Sequence, residues 1–252
     1  FLFQPDEEGS GGAKRMVDAG CIGGVDAVFG AHVTPALPAG HIGVRFGKFY
    51  AASNTFRLTL SGRSCHGAER ENGIDALEAA CLLVPALNAL PGAFPDEKSV
   101  VSVGLLNAGT ADNIVADRAE LAGIVRTLGQ DTRAAMLKLL TETVETAARQ
   151  GVTADLRIRE SYPGVVNHDD MTALVRGAAS ALLGSERVHT IGEPTMTTED
   201  FGYFLLERPG SFYHIGAGCP LPLHSTGFLP DDSAAVTAAA VHAAVIDAFL
   251  RG

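Results

Sequence analysis

Apolar positions along the chain follow two spacings, and their alternation predicts an α/β protein. Residues 1–3 and 24–30 have the short apolar runs of buried strands, and residues 13–19 between them have helical spacing. Pro5 and the glycines after it predict a loop between the first strand and this helix. The pattern continues in the C-terminal third with a helix over 169–183, a short helix over 197–206 with a threonine cap, a strand over 211–216 and a helix over 233–250.

The middle of the chain has its own regular order. Strands are predicted over 40–45, 52–60, 99–106, 118–127 and 154–159, and helices over 73–90 and 131–149, the latter capped by Asp131. From residue 56 to residue 159 the order is β-α-β-β-α-β, which is typical of the ferredoxin-like arrangement. The simplest architecture is therefore a discontinuous α/β domain, residues 1–48 and 161–252, interrupted by a β-α-β-β-α-β domain over residues 49–160.

Composition and charge exclude some classes of partner. The net charge is −10, and the 19 lysines and arginines are scattered, so no basic stripe is available for nucleic acid. No apolar run approaches the roughly 18 residues of a membrane span, so no membrane partner is expected. Four cysteines without a Cys-x-x-Cys spacing indicate reduced thiols and a cytoplasmic protein.

Two adjacent carboxylates, Glu7 and Glu8, lie on the loop after the first predicted strand. Open α/β sheets bind ligands at the carboxyl ends of their strands. Neighbouring side chains on such a loop point in different directions, so one carboxylate is placed to bind a metal while the other transfers a proton. The alternative interpretation is a solvated acidic turn, since most charge pairs lie on the surface.

Further metal-binding residue types lie on loops of the same predicted domain. His32 follows the second strand, and His224 lies in the loop 223–228. Carboxylate and imidazole ligands suit zinc, manganese, cobalt or nickel. Glu199 and Asp200 are predicted at a helix start, where they either orient the ligands or complement the helix N-terminus.

Seven stretches, in order, resemble the motifs of the aminoacylase/carboxypeptidase family of two-metal amidohydrolases. The nearest branch holds the hippurate hydrolases, N-acetyl-diaminopimelate deacetylases and indoleacetyl-amino-acid hydrolases. The resemblance covers essentially the whole chain. Its motifs are FQPDEEGSGGAKRMVDAG (3–20), GAHV (30–33), GRSCHGA (62–68), GTADNIV (109–115), GIVRT (123–127), TEDF (198–201) and LHSTGF (223–228).

The resemblance implies a role for each matching residue. Glu7 corresponds to the general base that activates a metal-bound water. Glu8, His32 and His224 correspond to ligands of two divalent metal ions. His66 corresponds to a histidine of the inserted domain that stabilises the oxyanion, typically from a partner subunit. The residues that correspond to substrate-facing positions are Asn113 and Arg126.

This resemblance implies hydrolysis of an N-acyl-amino acid or small peptide by a homodimer, with the inserted domain as lid and dimerisation surface. A dipeptidase or aminopeptidase of the same family is the alternative enzyme, and a non-catalytic dimerising or binding homologue is the alternative of another class. The chain departs from the family twice. The remaining ligands are expected upstream of residue 1, so a dinuclear site and activity are not expected of this chain alone. Glu69-Arg-Glu-Asn72 replaces a Pro-His pair that follows the His-Gly-Ala of relatives.

Overall fold

The computed structural model describes residues 1–9 and 11–252, without the side chains of residues 147 and 148. Ser10, part of the predicted first loop, lies outside the described residues. The chain divides into two compact units. The first comprises Phe1–Tyr50, Val165–Thr195 and Glu199–Gly252, and the second comprises Ala51–Gly164 and Met196–Thr198.

The described residues form six α-helices and ten strands. In chain order they are α1 (Ala13–Asp18), β1 (Val28–Thr34), β2 (Ile42–Val44), β3 (Gly47–Tyr50), β4 (Ala52–Ser61), α2 (Ala76–Asn88), β5 (Val100–Ala108), β6 (Arg118–Thr127), α3 (Gln130–Glu145), β7 (Thr153–Glu160), β8 (Val165–Asn167), α4 (Asp169–Leu183), β9 (Val188–Thr190), α5 (Gly202–Glu207), β10 (Gly210–Gly216) and α6 (Asp232–Arg251). Short 3-10 helices cover Arg70–Asn72, Leu90–Ala93, Thr146–Gln150 and Ser185–Arg187.

The first unit is built on a mixed sheet with the strand order β1-β10-β2-β9. β1 pairs in parallel with β10, β10 pairs antiparallel with β2, and β2 pairs in parallel with β9. Successive residues of a strand point to opposite faces, and Phe212 and Tyr213 of β10 enter two different apolar clusters. One cluster involves α1 and α5, the other α4 and α6. The sheet is therefore covered by helices on both faces, as expected of an α/β domain.

The second unit has the element order β4-α2-β5-β6-α3-β7, the β-α-β-β-α-β order that the sequence predicts. Its sheet is antiparallel throughout, in the order β5-β6-β4-β7. Phe56, Leu58 and Leu60 of β4 point to one face, where they pack with residues of α2 and α3. Thr55 and Arg57 point to the other face and are exposed.

The predicted strand at the start of the chain is wrong. Phe1 and Phe3 are exposed, and no strand among the described residues includes residues 1–3. Apolar residues form a strand only where a neighbouring strand satisfies their backbone groups. The next predicted strand is displaced: β1 begins at Val28, because its pairing with β10 runs from Val28 to Thr34. His32 is therefore inside β1 and not after it.

Two predicted helix caps are also wrong. The α5 helix begins at Gly202 after Phe201, with no side-chain cap, so Glu199 and Asp200 precede the helix. Gly129, and not Asp131, is the N-cap of α3. The carboxylate of Glu97 accepts the backbone amides of Leu128 and Gly129 at this end, which leaves no capping role for Asp131.

By length and composition, α6 is the one described helix that is long and apolar enough to cross a membrane. The prediction that no apolar run approaches the length of a membrane span is wrong for α6. A single helix of this kind is weak evidence for a span, because core helices of soluble proteins pass the same test. Ala234, Val241 and Val245 of α6 are buried against α4 and β10. The four cysteines are free, as expected.

Candidate active site

The loop that carries Glu7 and Glu8 folds back on itself before α1. The amide of Gly11 donates to the carbonyl of Asp6 at 3.0 Å, and Gly11 has φ +82°. A Cβ on Gly12 would lie 1.9 Å from the carbonyl oxygen of Pro5. The glycines therefore serve a close backbone approach that side chains would prevent. This places the two glutamates together at the turn.

Three carboxylates meet beside this loop. One oxygen each from Glu7, Glu199 and Asp200 lies within 4.8 Å of the others, and this is the group found among the described residues that could hold a metal ion. Glu199 is 6% exposed and Asp200 is 0% exposed. Burial, followed by the charge of Glu7, raises the pKa of Glu199 to about 8. Burial, followed by the charge of Asp200, also raises the pKa of Glu7.

Asp200 connects the carboxylates to the loop. Its Oδ1 accepts from Gln4 Nε2 at 2.5 Å, and its Oδ2 accepts from the backbone amide of Ala13, the first residue of α1, at 3.0 Å. Glu199 accepts the amide of Phe201, the residue before α5, at 3.2 Å, so both roles that the sequence leaves open for this pair stay predictions. The helix terminus that Asp200 contacts is that of α1.

His32 and His224 lie close to the glutamates. Their positive charges lower the pKa of Glu7, which partly offsets the effect of burial. His224 Nδ1 lies 3.7 Å from Glu8 Oε1, and both side chains are exposed. His224 has φ +63°, an uncommon conformation for a residue other than glycine. His32 and His224 therefore lie near Glu7, and His224 lies near Glu8.

The tautomer of His32 follows from its hydrogen bond. Its Nδ1 lies 2.7 Å from the carbonyl oxygen of Val33, which only accepts, so Nδ1 carries the proton. The unprotonated Nε2 is then available as a metal ligand. Metal-binding histidines typically have their second ring nitrogen fixed in this way.

Sequence reasoning missed His214 and Tyr50, which lie behind the site. His214 on β10 is in register with His32 on the parallel strand β1. The hydroxyl oxygen of Tyr50 lies 2.5 Å from His214 Nε2, within hydrogen-bond distance. Burial, together with the charge of His32, lowers the pKa of His214 to about 4. The pairing of β1 with β10 would have identified His214, but the sequence alone does not reveal which strands pair.

The other predicted site residues belong to the second unit. His66 is exposed, and its Nδ1 accepts the amide of Ala68 at 3.1 Å, which places the proton of the neutral ring on Nε2. The amide of Gly67 donates to the carbonyl of Asn113 at 2.7 Å, so the loops of His66 and Asn113 lie side by side. Arg126 on β6 donates to the carbonyl of Asn54 at 3.3 Å, and burial lowers its pKa.

Comparison with protein families identifies the chain. The model of peptidase family M20/M25/M40 matches residues 1–248. The chain belongs to this family. The predicted resemblance to two-metal amidohydrolases is thereby confirmed.

Two relatives in family M20/M25/M40 are named as a deacetylase and a carboxypeptidase. The chain is 34% identical to N-acetyldiaminopimelate deacetylase of Streptococcus sanguinis over 240 residues, which is 93% of this chain and 63% of that protein. It is 32% identical to thermostable carboxypeptidase 1 of Saccharolobus solfataricus over 254 residues, which is 96% of this chain and 64% of that protein. The chain thus spans less than two thirds of the length of the curated relatives it matches.

A solved structure of the same family has the same fold. The YXEP protein of Bacillus subtilis, a dinuclear metal-binding peptidase of the M20 family, superposes with a TM-score of 0.82 at 29% identity. The alignment covers 99% of this chain and 64% of that one. The predicted α/β fold class is confirmed.

The residues of this family member suit divalent metal ions. Three carboxyl groups lie close together at a partly buried position, those of Glu7, Glu199 and Asp200. A bound cation would stabilise their ionised forms. The unprotonated Nε2 of His32 supplies an imidazole ligand, and Glu8 with His224 supplies a further carboxylate and imidazole. This mixture of donors is typical of zinc, manganese, cobalt and nickel sites.

Proposed function

We propose that this protein is a metal-dependent amidohydrolase that cleaves the amide bond of N-acyl-amino acids. The observation that carries the proposal is the position of Glu7, which lies beside Glu8, His32 and His224 and next to the buried Glu199. A base and a set of metal ligands in one place are what amide hydrolysis by an activated water requires. The name of the Streptococcus sanguinis relative supports an N-acetyl-amino acid as substrate.

In this proposal Glu7 is the general base. It takes a proton from the attacking water and passes it to the amine that leaves. Burial raises the pKa of Glu7, which makes it a stronger base than an exposed glutamate. Burial and the charge of Glu7 raise the pKa of Glu199 to about 8, so in the absence of a cation Glu199 favours its protonated form more than an exposed glutamate does.

Glu8, His32 and His224 are proposed as metal ligands. Two bound divalent ions, zinc, manganese, cobalt or nickel, would lower the pKa of water and so supply a nucleophile at neutral pH. The hydrogen bond from His32 Nδ1 to Val33 fixes the ring so that Nε2 faces away from the strand backbone. The donor set supports a dinuclear site. The related YXEP protein is a dinuclear metal-binding peptidase.

The second unit is proposed to supply His66, Asn113 and Arg126. The neutral His66 ring carries its proton on Nε2, where it can donate to the oxygen on which charge develops. Asn113 and Arg126 are proposed to bind the substrate. We propose further that this unit forms the lid and the homodimer surface, and that the protein is cytoplasmic.

A peptidase is the second candidate. The Saccharolobus solfataricus relative is named a carboxypeptidase, and an N-acyl-amino acid and a peptide present the same scissile amide. A non-catalytic binding homologue is the third candidate. The retention of Glu7, Glu8, His32, His66 and His224 argues against it.

The test is metal content by elemental analysis together with hydrolysis, on the full-length protein. An N-acetyl-amino acid, an N-benzoyl-amino acid and a dipeptide are offered as substrates. About two metal ions per chain and release of an amino acid from the acyl conjugates are expected. Hydrolysis of the dipeptide alone would favour the peptidase. Absence of both metal and hydrolysis would favour a binding role.

A further inference from the structure

Both ends of the loop that carries Glu7 and Glu8 are tied to one side chain. Gln4 precedes the two glutamates and Ala13 follows them, and Asp200 accepts a hydrogen bond from each. The two contacts span 196 and 187 residues of sequence. The loop is therefore closed by a residue from the far end of the chain.

The chemistry of position 200 calls for a carboxylate. Each of its oxygens faces a nitrogen donor, one from a side-chain amide and one from the backbone. An asparagine has one oxygen only, and with that oxygen on Ala13 its NH2 group would keep a bond to Gln4 only if the Gln4 amide turned to present its oxygen, whereas an alanine would remove both acceptors. Hydrogen bonds to a charged acceptor are about twice as strong as neutral ones, which suits a brace.

Asp200 lies where water cannot supply its hydrogen-bond partners. It is fully buried, and its neighbours within 4.8 Å include the carboxylates of Glu7 and Glu199. Burying a charge beside other acids is unfavourable unless the charge has specific partners. The two hydrogen bonds to the loop are the partners that the described residues give it.

We propose that Asp200 is a positioning residue that holds Glu7 and Glu8 in their working geometry by fixing both ends of their loop. The inference rests on the proposed function, since it gives Asp200 no chemical step of its own. Displacement of a base or ligand by about 1 Å is enough to lower the rate about a hundredfold. No helix or strand includes residues 4–9, 11 or 12, and Arg15 of α1 forms a further contact with this loop, at 2.8 Å from the carboxylate of Asp6.

The first variant is Asp200→Ala in the full-length protein, which removes both acceptor oxygens. We expect kcat and metal affinity to fall about 10-fold to 100-fold, as for other residues that orient metal ligands, with KM little changed. Amide hydrogen exchange should increase in peptides that cover residues 4–13. The matched control is Asp18→Ala, which removes an exposed charge from the end of α1 and breaks only its surface pair with Lys14.

Gln4→Ala is the second variant, in case Asp200→Ala does not fold. It removes one of the two ties and leaves the buried carboxyl group and the Ala13 bond unchanged. We expect a smaller fall in kcat and faster exchange confined to residues 4–9, and no further loss from Gln4→Ala when Asp200 has already been replaced by alanine. Unchanged metal affinity, kcat and exchange in both variants would overturn the inference.

The outcome separates this inference from the proposed function. If Glu7→Gln is inactive while the Asp200 and Gln4 variants behave like the unmodified protein, only the positioning role is wrong. If Glu7→Gln retains full activity, the assignment of Glu7 as the base is wrong, and if the unmodified full-length protein binds no metal and hydrolyses no amide, the proposed function itself is wrong, whatever the loop variants show.

Discussion

Glu7 and Glu199 come from opposite ends of the chain and place carboxylate oxygens within 4.8 Å of each other. Two carboxylates this close cannot both ionise without a penalty, and the more buried one keeps its proton. Glu199 is that residue, with a pKa raised to about 8 by burial and by Glu7. In the absence of a bound cation, the pair therefore favours one protonated and one ionised member.

The first prediction concerns Glu7→Gln. The amide keeps the size of the side chain but cannot take a proton, so hydrolysis should fall at least about 100-fold to 10,000-fold, the contribution of a general base. Metal content should remain near that of the unmodified protein. Initial rates and elemental analysis on the same preparation measure the two effects.

Glu8→Gln is the matched comparison, because it makes the same change one residue further along the loop. It should lose metal, since Glu8 is proposed as a ligand. If Glu7→Gln loses metal and Glu8→Gln keeps it, the roles of the two residues are exchanged.

The second prediction concerns His66→Ala. Loss of a donor to the oxyanion should lower kcat by about 100-fold to 1000-fold with little change in metal content. Asn72→Ala, at an exposed position of the nearby 3-10 helix, serves as a control for damage to this part of the second unit. An unchanged kcat in His66→Ala would remove this residue from the site.

The third prediction contrasts two glycines of the first unit. In Gly12→Ala the new Cβ would lie 1.9 Å from the Pro5 carbonyl oxygen, so the loop must open and metal affinity should fall. In Gly177→Ala the Cβ meets nothing within 4 Å and the position is inside α4, so unfolding should become harder by about 0.5–1 kcal/mol. Denaturant unfolding and metal titration of both variants check the opposite signs. A Gly12→Ala protein with normal metal affinity would show that the loop tolerates the methyl group.

The sequence predicted the parts of this protein that depend on local periodicity. The helix over Asp169–Leu183 and the strand over Arg118–Thr127 have the predicted bounds, because their apolar spacing is regular. The strand over residues 1–3 failed, since a strand depends on a partner that the spacing does not reveal. The element order of the second unit could also be recognised from this local periodicity.

The candidate site was predictable only where a motif marks it. Glu7, Glu8, His32 and His224 occur in recognisable motifs, but their roles stay predictions. The contacts that hold them, such as His214 beside His32, arise from strand register and long-range packing. No local pattern encodes those distances.

The fourth prediction concerns pH and His214. Its pKa falls from 6.5 to about 4 in the folded chain, so the folded state keeps the ring neutral where the unfolded state binds a proton. The contribution of the neutral His214 ring to the free energy of unfolding is complete above about pH 6.5. It is lost as the pH falls toward about 4, and this loss is about 3 kcal/mol. Urea unfolding between pH 7.5 and 4, in the presence of a chelator so that metal does not contribute, should show this loss. The variant His214→Gln cannot take up the proton and should lose less stability over the same range, and an identical loss in both proteins would show that another group causes it.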